Sequence, residues 1–226
     1  MDFKTKQDVF NYLSSFLTDE RRDIINRTAE NRTKYLTIVL EDIYQPQNAS
    51  AVLRSAECFG LQNIHIIENV NEYKLNPKVL RGSSNWLDIK KYNNKKENTL
   101  NCINDLKRDG YKIIATSPHK YDCLLEDLPI IDKTAILFGS EINGLSEIAM
   151  QNCDGFVKIP MFGFTESLNI SVSAAIVLQN LSSKLRNSDI NWKLSEEEIF
   201  ELKYNWVVKS SKRPELLIKH FLVSRI

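Results

Sequence analysis

Glycine is scarce in this chain, and its seven copies stand at positions 60, 82, 110, 139, 144, 155 and 163. Neither a GxGxxG fingerprint nor a GxxxxGK[ST] phosphate loop can be drawn from that spacing, which removes the sequence support for a dinucleotide oxidoreductase or a P-loop kinase. No GxSxG elbow occurs, and the three histidines, His65, His119 and His220, each stand far from other metal-type ligands. The four cysteines, Cys58, Cys102, Cys123 and Cys153, show no CxxC spacing and read as reduced, mostly buried thiols; no structural metal is expected. A run of about 20 apolar residues, which a membrane helix needs, is also missing, and the start MDFKTKQDVF is too polar for a secretory signal. The expectation is a cytoplasmic protein with no membrane association.

What is present fits a folded globular protein of moderate size. Apolar residues at 42% and charged residues at 26% of 226 are ordinary for a globular chain, long enough for one medium domain with terminal additions. The net charge of +1 conceals two lopsided stretches. Lys74, Lys78, Arg81, Lys90, Lys91, Lys95 and Lys96 face only Asp88, and Lys209, Lys212, Arg213, Lys219 and Arg225 face only Glu215. Phosphate is met by local patches of cations, so both stretches are compatible with an RNA footprint.

Residues 1–35 read as a helical arm, with Val9, Tyr12, Leu13 and Phe16 on one stripe and Thr18 as an N-cap. The run LTIVLEDI, 36–43, has the composition of a buried strand, and QPQ at 45–47 turns the chain into a helix capped by Asn48 and closed by Gly60. Further strands are expected over 64–68, 112–116, the TAILF run ending at Gly139, and 155–160. Helices are expected over 100–108, from Ser146, and from about Ser167 to Arg186. Strands alternating with helices predict an α/β core with a mostly parallel sheet, spanning 36–186. Residues 187–226 read as a helical tail, opened by Ser195 and Glu198 in capping-box spacing and with a last helix after Pro214.

Open α/β sheets bind ligands beyond the carboxyl ends of their strands. Four polar loops fall there: QPQNASAVLR, ATSPHK, FGSEINGLS and IPMFGFTESLN. Three of them carry ordered motifs, NASAVLR at 48–54, GSEINGLS at 139–146 and IPMFGFTESLNISVS at 159–173. On these motifs the chain resembles the SPOUT methyltransferases, and within them the TrmH (SpoU) family of RNA ribose 2′-O-methyltransferases.

The resemblance implies a core whose carboxyl-terminal part is threaded into a trefoil knot, S-adenosyl-L-methionine as cofactor, and a homodimer whose site is completed across the interface. It implies catalytic roles for Arg54, Asn48, Glu141, Ser167 and Asn169. Thr116, Leu137, Gly139, Ile159, Met161 and Leu168 would hold the cofactor, largely through backbone. Ser50 departs from the glycine common at the third position of the first motif. A guanidinium with a pKa above about 12 is a poor proton acceptor, so Arg54 is read as stabilising the developing alkoxide and gripping a phosphate that takes the proton.

Within the family the chain is similar to the enzymes that methylate the D-loop guanosine of tRNA, guanosine-18. That group has a helical arm and tail, and local likenesses lie in RRDII and in GSSNW at 82–86. Arg21, Arg22, Arg32, Lys34, Lys90 and Lys91 are the expected RNA-binding residues. The alternatives are methylation of ribosomal RNA or another tRNA position, or a fold that grips RNA without methylating it.

Overall fold

The computed structural model describes residues 1–74, 76–94 and 96–223; Lys95 and Arg225 of the basic stretches lie outside them. Contacts divide the chain into two compact units, residues 1–32 with 193–226, and residues 33–192.

The larger unit is built on a seven-stranded sheet. In chain order its elements are β1 (Leu36–Glu41), α3 (Pro46–Cys58), β2 (Asn63–Ile67), α4 (Pro77–Leu80), a 3₁₀ turn (Ser83–Trp86), β3 (Asp88–Tyr92), α5 (Asn98–Arg108) and β4 (Lys112–Thr116). They continue with β5 (Cys123–Leu124), β6 (Thr134–Phe138), α6 (Glu147–Asn152), β7 (Gly155–Lys158) and α7 (Ile170–Arg186). The strand order is β3-β2-β1-β6-β4-β7-β5, and each pair of neighbouring strands in it is parallel. This is the α/β sheet expected from the sequence, with two strands that pattern did not announce.

Burial explains which strands were legible. β1 and β6 sit centrally and every residue in them is buried, so they read as continuous apolar runs. β3, with the sequence DIKKY, is an edge strand whose polar residues face solvent, and lysines on an edge discourage pairing with another chain. β5 has two residues and closes the other edge.

Side chains alternate across the sheet and bury on two faces. Leu36, Ile38 and Leu40 pack with Val52, Leu53 and Ala56 of α3 and Val177, Leu178 and Leu181 of α7. Val39, Leu137 and Ile113 pack on the opposite face with Cys102, Ile103 and Leu106 of α5.

Helix α3 begins earlier than its sequence suggests. Gln45 is the N-cap and Pro46 occupies the first turn, where its missing N–H costs nothing. Asn48 therefore lies inside the helix rather than capping it, which frees its amide for another use. Gly60 follows as expected with φ +80°, a left-handed conformation suited to glycine. Helix α7 likewise begins at Ile170, with Asn169 as its cap, three residues after the predicted start.

The smaller unit comprises α1 (Phe3–Ser14), α2 (Asp19–Ala29), α8 (Glu196–Ser210) and α9 (Pro214–Val223). Val9, Leu13, Ile25 and Ala29 of the first pair and Leu202, Trp206 and Val207 of α8 are buried. Phe3 and Phe10 meet Phe200 at ring distances of 5.1 and 5.6 Å, and Tyr12 stacks on Phe221 at 4.7 Å. Thr18 caps α2, and Ser195 and Glu198 form the predicted capping box on α8. No helix among the described residues is long and apolar enough to cross a membrane.

Candidate active site

A cavity of about 700 Å³ opens at the carboxyl ends of β4, β6 and β7, which are neighbours in the sheet. Its size is that of a cofactor or substrate pocket. Gln45 and Asn48 line it from α3, Thr116 to His119 from the loop after β4, Phe138 to Leu145 from the loop after β6, and Ile159, Met161 and Ser167 to Ile170 from the loop before α7.

The loop after β6 is held by its own backbone. Ser140 and Gly144 exchange two N–H to carbonyl bonds of 3.0 Å, and the Ser140 hydroxyl accepts from Asn143 N at 3.0 Å. The fold leaves no room for a side chain at Gly139, because an added Cβ would stand 2.1 Å from the Gly144 carbonyl carbon. Gly139 is thus required by close backbone approach, and the cavity wall there is main chain.

Below that loop sits a buried carboxylate. Glu41, 2% exposed at the end of β1, accepts from the Ser146 amide and hydroxyl, each at 2.8 Å, and from the Thr99 hydroxyl at 2.6 Å. Ser146 caps α6, so Glu41 fixes the far end of the loop and adds negative charge at a helix N-terminus. A carboxylate ending an otherwise apolar strand was the signal for it in the sequence, and the strand reading passed over it.

The loop after β6, helix α3 and the cap of α7 are joined by a chain of side-chain hydrogen bonds. Asn48 Nδ2 donates to Glu141 Oε1 at 2.6 Å, and Asn169 Nδ2 donates to Asn48 Oδ1 at 3.2 Å. Asn169 Oδ1 accepts from the Ser171 amide at 2.8 Å and hydroxyl at 2.6 Å. Glu141 Oε2 accepts from Tyr44 N at 3.2 Å. A carboxylate accepts only, so it fixes the amide orientation of Asn48, which in turn fixes that of Asn169.

The structure therefore brings together Asn48, Glu141, Ser167, Asn169, Thr116, Gly139, Ile159, Met161 and Leu168 on one cavity. Leu137 lies one residue short of it, and its carbonyl accepts from the Thr116 hydroxyl at 2.8 Å. Arg54 is exposed on α3, outside the cavity lining. It has no hydrogen-bond or ion-pair partner among the described residues. Ser117, Pro118, His119, Asn143 and Ser173 also line the space without having been singled out. Among the described residues no group of three His, Cys, Asp or Glu is placed to hold a metal.

The expected RNA-binding cations fare differently. Arg32 is 1% exposed, with its guanidinium 5.3 Å from the Trp206 ring centre, so it cannot meet a phosphate. Burial of an aromatic and a cation together is a core interaction, and the basic look of the arm gave no warning of it. Arg21 bonds the Ser210 hydroxyl at 3.2 Å, and Arg22 binds the Ser14 and Leu17 carbonyls and pairs with Asp19. Lys34 is half-buried. Lys90 pairs with Asp105 at 2.6 Å and Lys91 with Glu68 at 2.8 Å.

The chain is similar to proteins named as RNA-modifying enzymes. The chain is 47% identical over 209 residues to tRNA (guanosine(18)-2'-O)-methyltransferase of Borreliella burgdorferi, covering 91% of this chain and 94% of that one. It is 32% identical over 161 residues to the enzyme of that name from Thermus thermophilus, covering 71% and 81%. The A. aeolicus TrmH/SpoU tRNA modifying enzyme superposes with a TM-score of 0.76 at 25% identity, covering 86% of this chain and 98% of that one. The model of the SpoU rRNA Methylase family matches residues 35–179, which hold the sheet and the loops around the cavity, and the chain belongs to that family.

Proposed function

We propose that this protein transfers a methyl group from S-adenosyl-L-methionine to the ribose 2′-hydroxyl of guanosine-18 in the D-loop of tRNA. The reaction and substrate follow the names of the relatives, and the likeness to the one from Borreliella burgdorferi extends over nine-tenths of the chain. The observation that carries it is the Glu141–Asn48–Asn169 chain, which joins the loop after β6, helix α3 and the cap of α7 around one cavity.

The residues present suit that cofactor. Main chain at Gly139 can approach it closely, while Ile159, Met161 and Leu168 offer apolar walls to an adenine ring. When bound, the cofactor supplies an electrophilic sulfonium methyl. The protein's task is then to aim a ribose hydroxyl and ease loss of its proton. Ser167 and Asn169 stand at the mouth to orient that hydroxyl. Arg54 stabilises the forming alkoxide and holds the neighbouring phosphate, which receives the proton.

In this reading the molecule is a cytoplasmic homodimer. Arg54 sits outside its own cavity and completes the site of the second copy. Val172 and Ile176, one turn apart on α7 and 46% and 38% exposed, give that copy an apolar patch to cover. Residues 36–186 form the catalytic core, with its carboxyl-terminal part threaded into the family's trefoil knot, and the arm (1–35) and tail (187–226) handle tRNA.

Arg54→Lys tests the mechanism. It keeps the charge and loses the planar fork, so turnover on tRNA should fall by at least about a hundredfold, the scale of losing one transition-state contact. Near-normal turnover would mean that bidentate phosphate gripping is not what the site needs.

A further inference from the structure

The basic stretch after β2 divides by whether its cations have partners. Lys74, Lys90 and Lys91 are paired with Glu72, Asp105 and Glu68. Lys78 on α4 and Arg81 just after it are exposed. Like Arg54, they have no carboxylate, ring or hydrogen-bond partner for their side chains among the described residues.

The fold ties the start of α4 to α3 one turn before Arg54. The Ser50 hydroxyl, buried on α3 one turn before Arg54, accepts from the Asn76 amide at 2.9 Å. Asn76 is the N-cap of α4, and its side chain accepts from Lys78 N at 3.1 Å. Leu80 then buries in the cluster that contains α3. Arg81 takes a left-handed backbone with φ +46°, and Gly82 follows at +83°. A glycine would hold the position of Arg81 with less strain, so a side chain is kept there against local preference. The Ser83 hydroxyl donates to the Leu80 carbonyl at 2.7 Å and locks the turn.

We propose that Lys78 and Arg81, set beside Arg54 by the Ser50–Asn76 bond, form a shelf that grips the phosphate backbone of the RNA strand leading into the site. The proposal rests on the RNA-methylating reading and names a surface that reading did not include. Cations with no internal pair can meet phosphates without first giving up a carboxylate, and phosphate contacts fix register without reading bases. Ser50 acts as a positioning residue, since glycine or alanine there offers Asn76 no acceptor.

The test measures binding of a fluorescently labelled tRNA transcript over a range of salt concentrations, with S-adenosyl-L-methionine affinity measured in parallel by calorimetry. In Lys78→Ala/Arg81→Ala, tRNA affinity should fall about tenfold near 0.1 M salt, and the slope of log affinity against log salt should become shallower by about 1 to 2. Cofactor affinity should stay at the wild-type value. Ser50→Ala should raise KM for tRNA, and should do so by less in the Lys78→Ala/Arg81→Ala background than in the wild-type chain. A wild-type salt slope in the double variant overturns the shelf, as does a loss of affinity with no change in slope. A wild-type chain that binds no tRNA removes the functional reading and the shelf with it. Wild-type binding with unaffected variants removes the shelf alone.

Discussion

Asn48 shows how one amide can organise a site. Sequence alone offers it as a helix cap, because asparagine is good at that task. Pro46 and Gln45 take over the helix start, and the amide is then free to link Glu141 to Asn169. Those partners lie 93 and 121 residues away, so no local pattern could pair them, although each loop was legible as polar chain at a strand end. Gly139 makes the same point for backbone. Gly139→Ala would drive a methyl group into the Gly144 carbonyl, so calorimetry should find cofactor binding lost. Retained binding would place the cofactor elsewhere.

His65 belongs to the core, where it is 6% exposed. Burial first, and Lys90 second, bring its pKa from 6.5 down to about 4. Between those values the unfolded chain binds more protons than the folded one. Stability is therefore full above about pH 6.5 and declines as pH falls toward about 4, by on the order of 2 to 3 kcal/mol at the limit. Asp105, held low by its hydrogen bond from Lys90, loses its contribution only in more acid solution. Thermal melts at about pH 7 and about pH 5 should show a loss for the wild type that shrinks in His65→Leu. An equal loss in both would exclude His65 as its source.

Among the elements, legibility followed burial. The central strands announce themselves as apolar runs, and α5 through its helical stripe. β3 stayed hidden because its outward residues are polar and its pairing with β2 is long-range. The short α6 was found from Ser146, yet what anchors it was not, since Glu41 reaches Ser146 across 105 residues. Glu41→Ala leaves the Ser146 amide and two hydroxyls without their acceptor in a buried place. The expected cost is about 2 to 3 kcal/mol in denaturant unfolding, with weaker cofactor binding, and Glu41→Gln should recover part of both. A variant as stable as the wild type would show that another group or water replaces the carboxylate.

For the molecule as a whole, the α/β core and its ligand edge followed from alternation of strands and helices together with the rule that open sheets bind beyond their strand ends. The assembly of arm and tail into one helical unit did not, because the packing of α1 and α2 with α8 and α9 joins opposite ends of the chain. The arm's cations misled for the same reason: Arg21 and Arg32 find their partners on α8. Family and fold account for the cavity; the chemistry proposed for it predicts which atom of which nucleotide is altered. The direct measurement is to incubate the protein with tRNA, ribosomal RNA and methyl-labelled S-adenosyl-L-methionine, digest each RNA, and identify the labelled nucleoside. Label recovered as 2′-O-methylguanosine from position 18 of tRNA is the predicted result. Label on a base, or in ribosomal RNA alone, would contradict it.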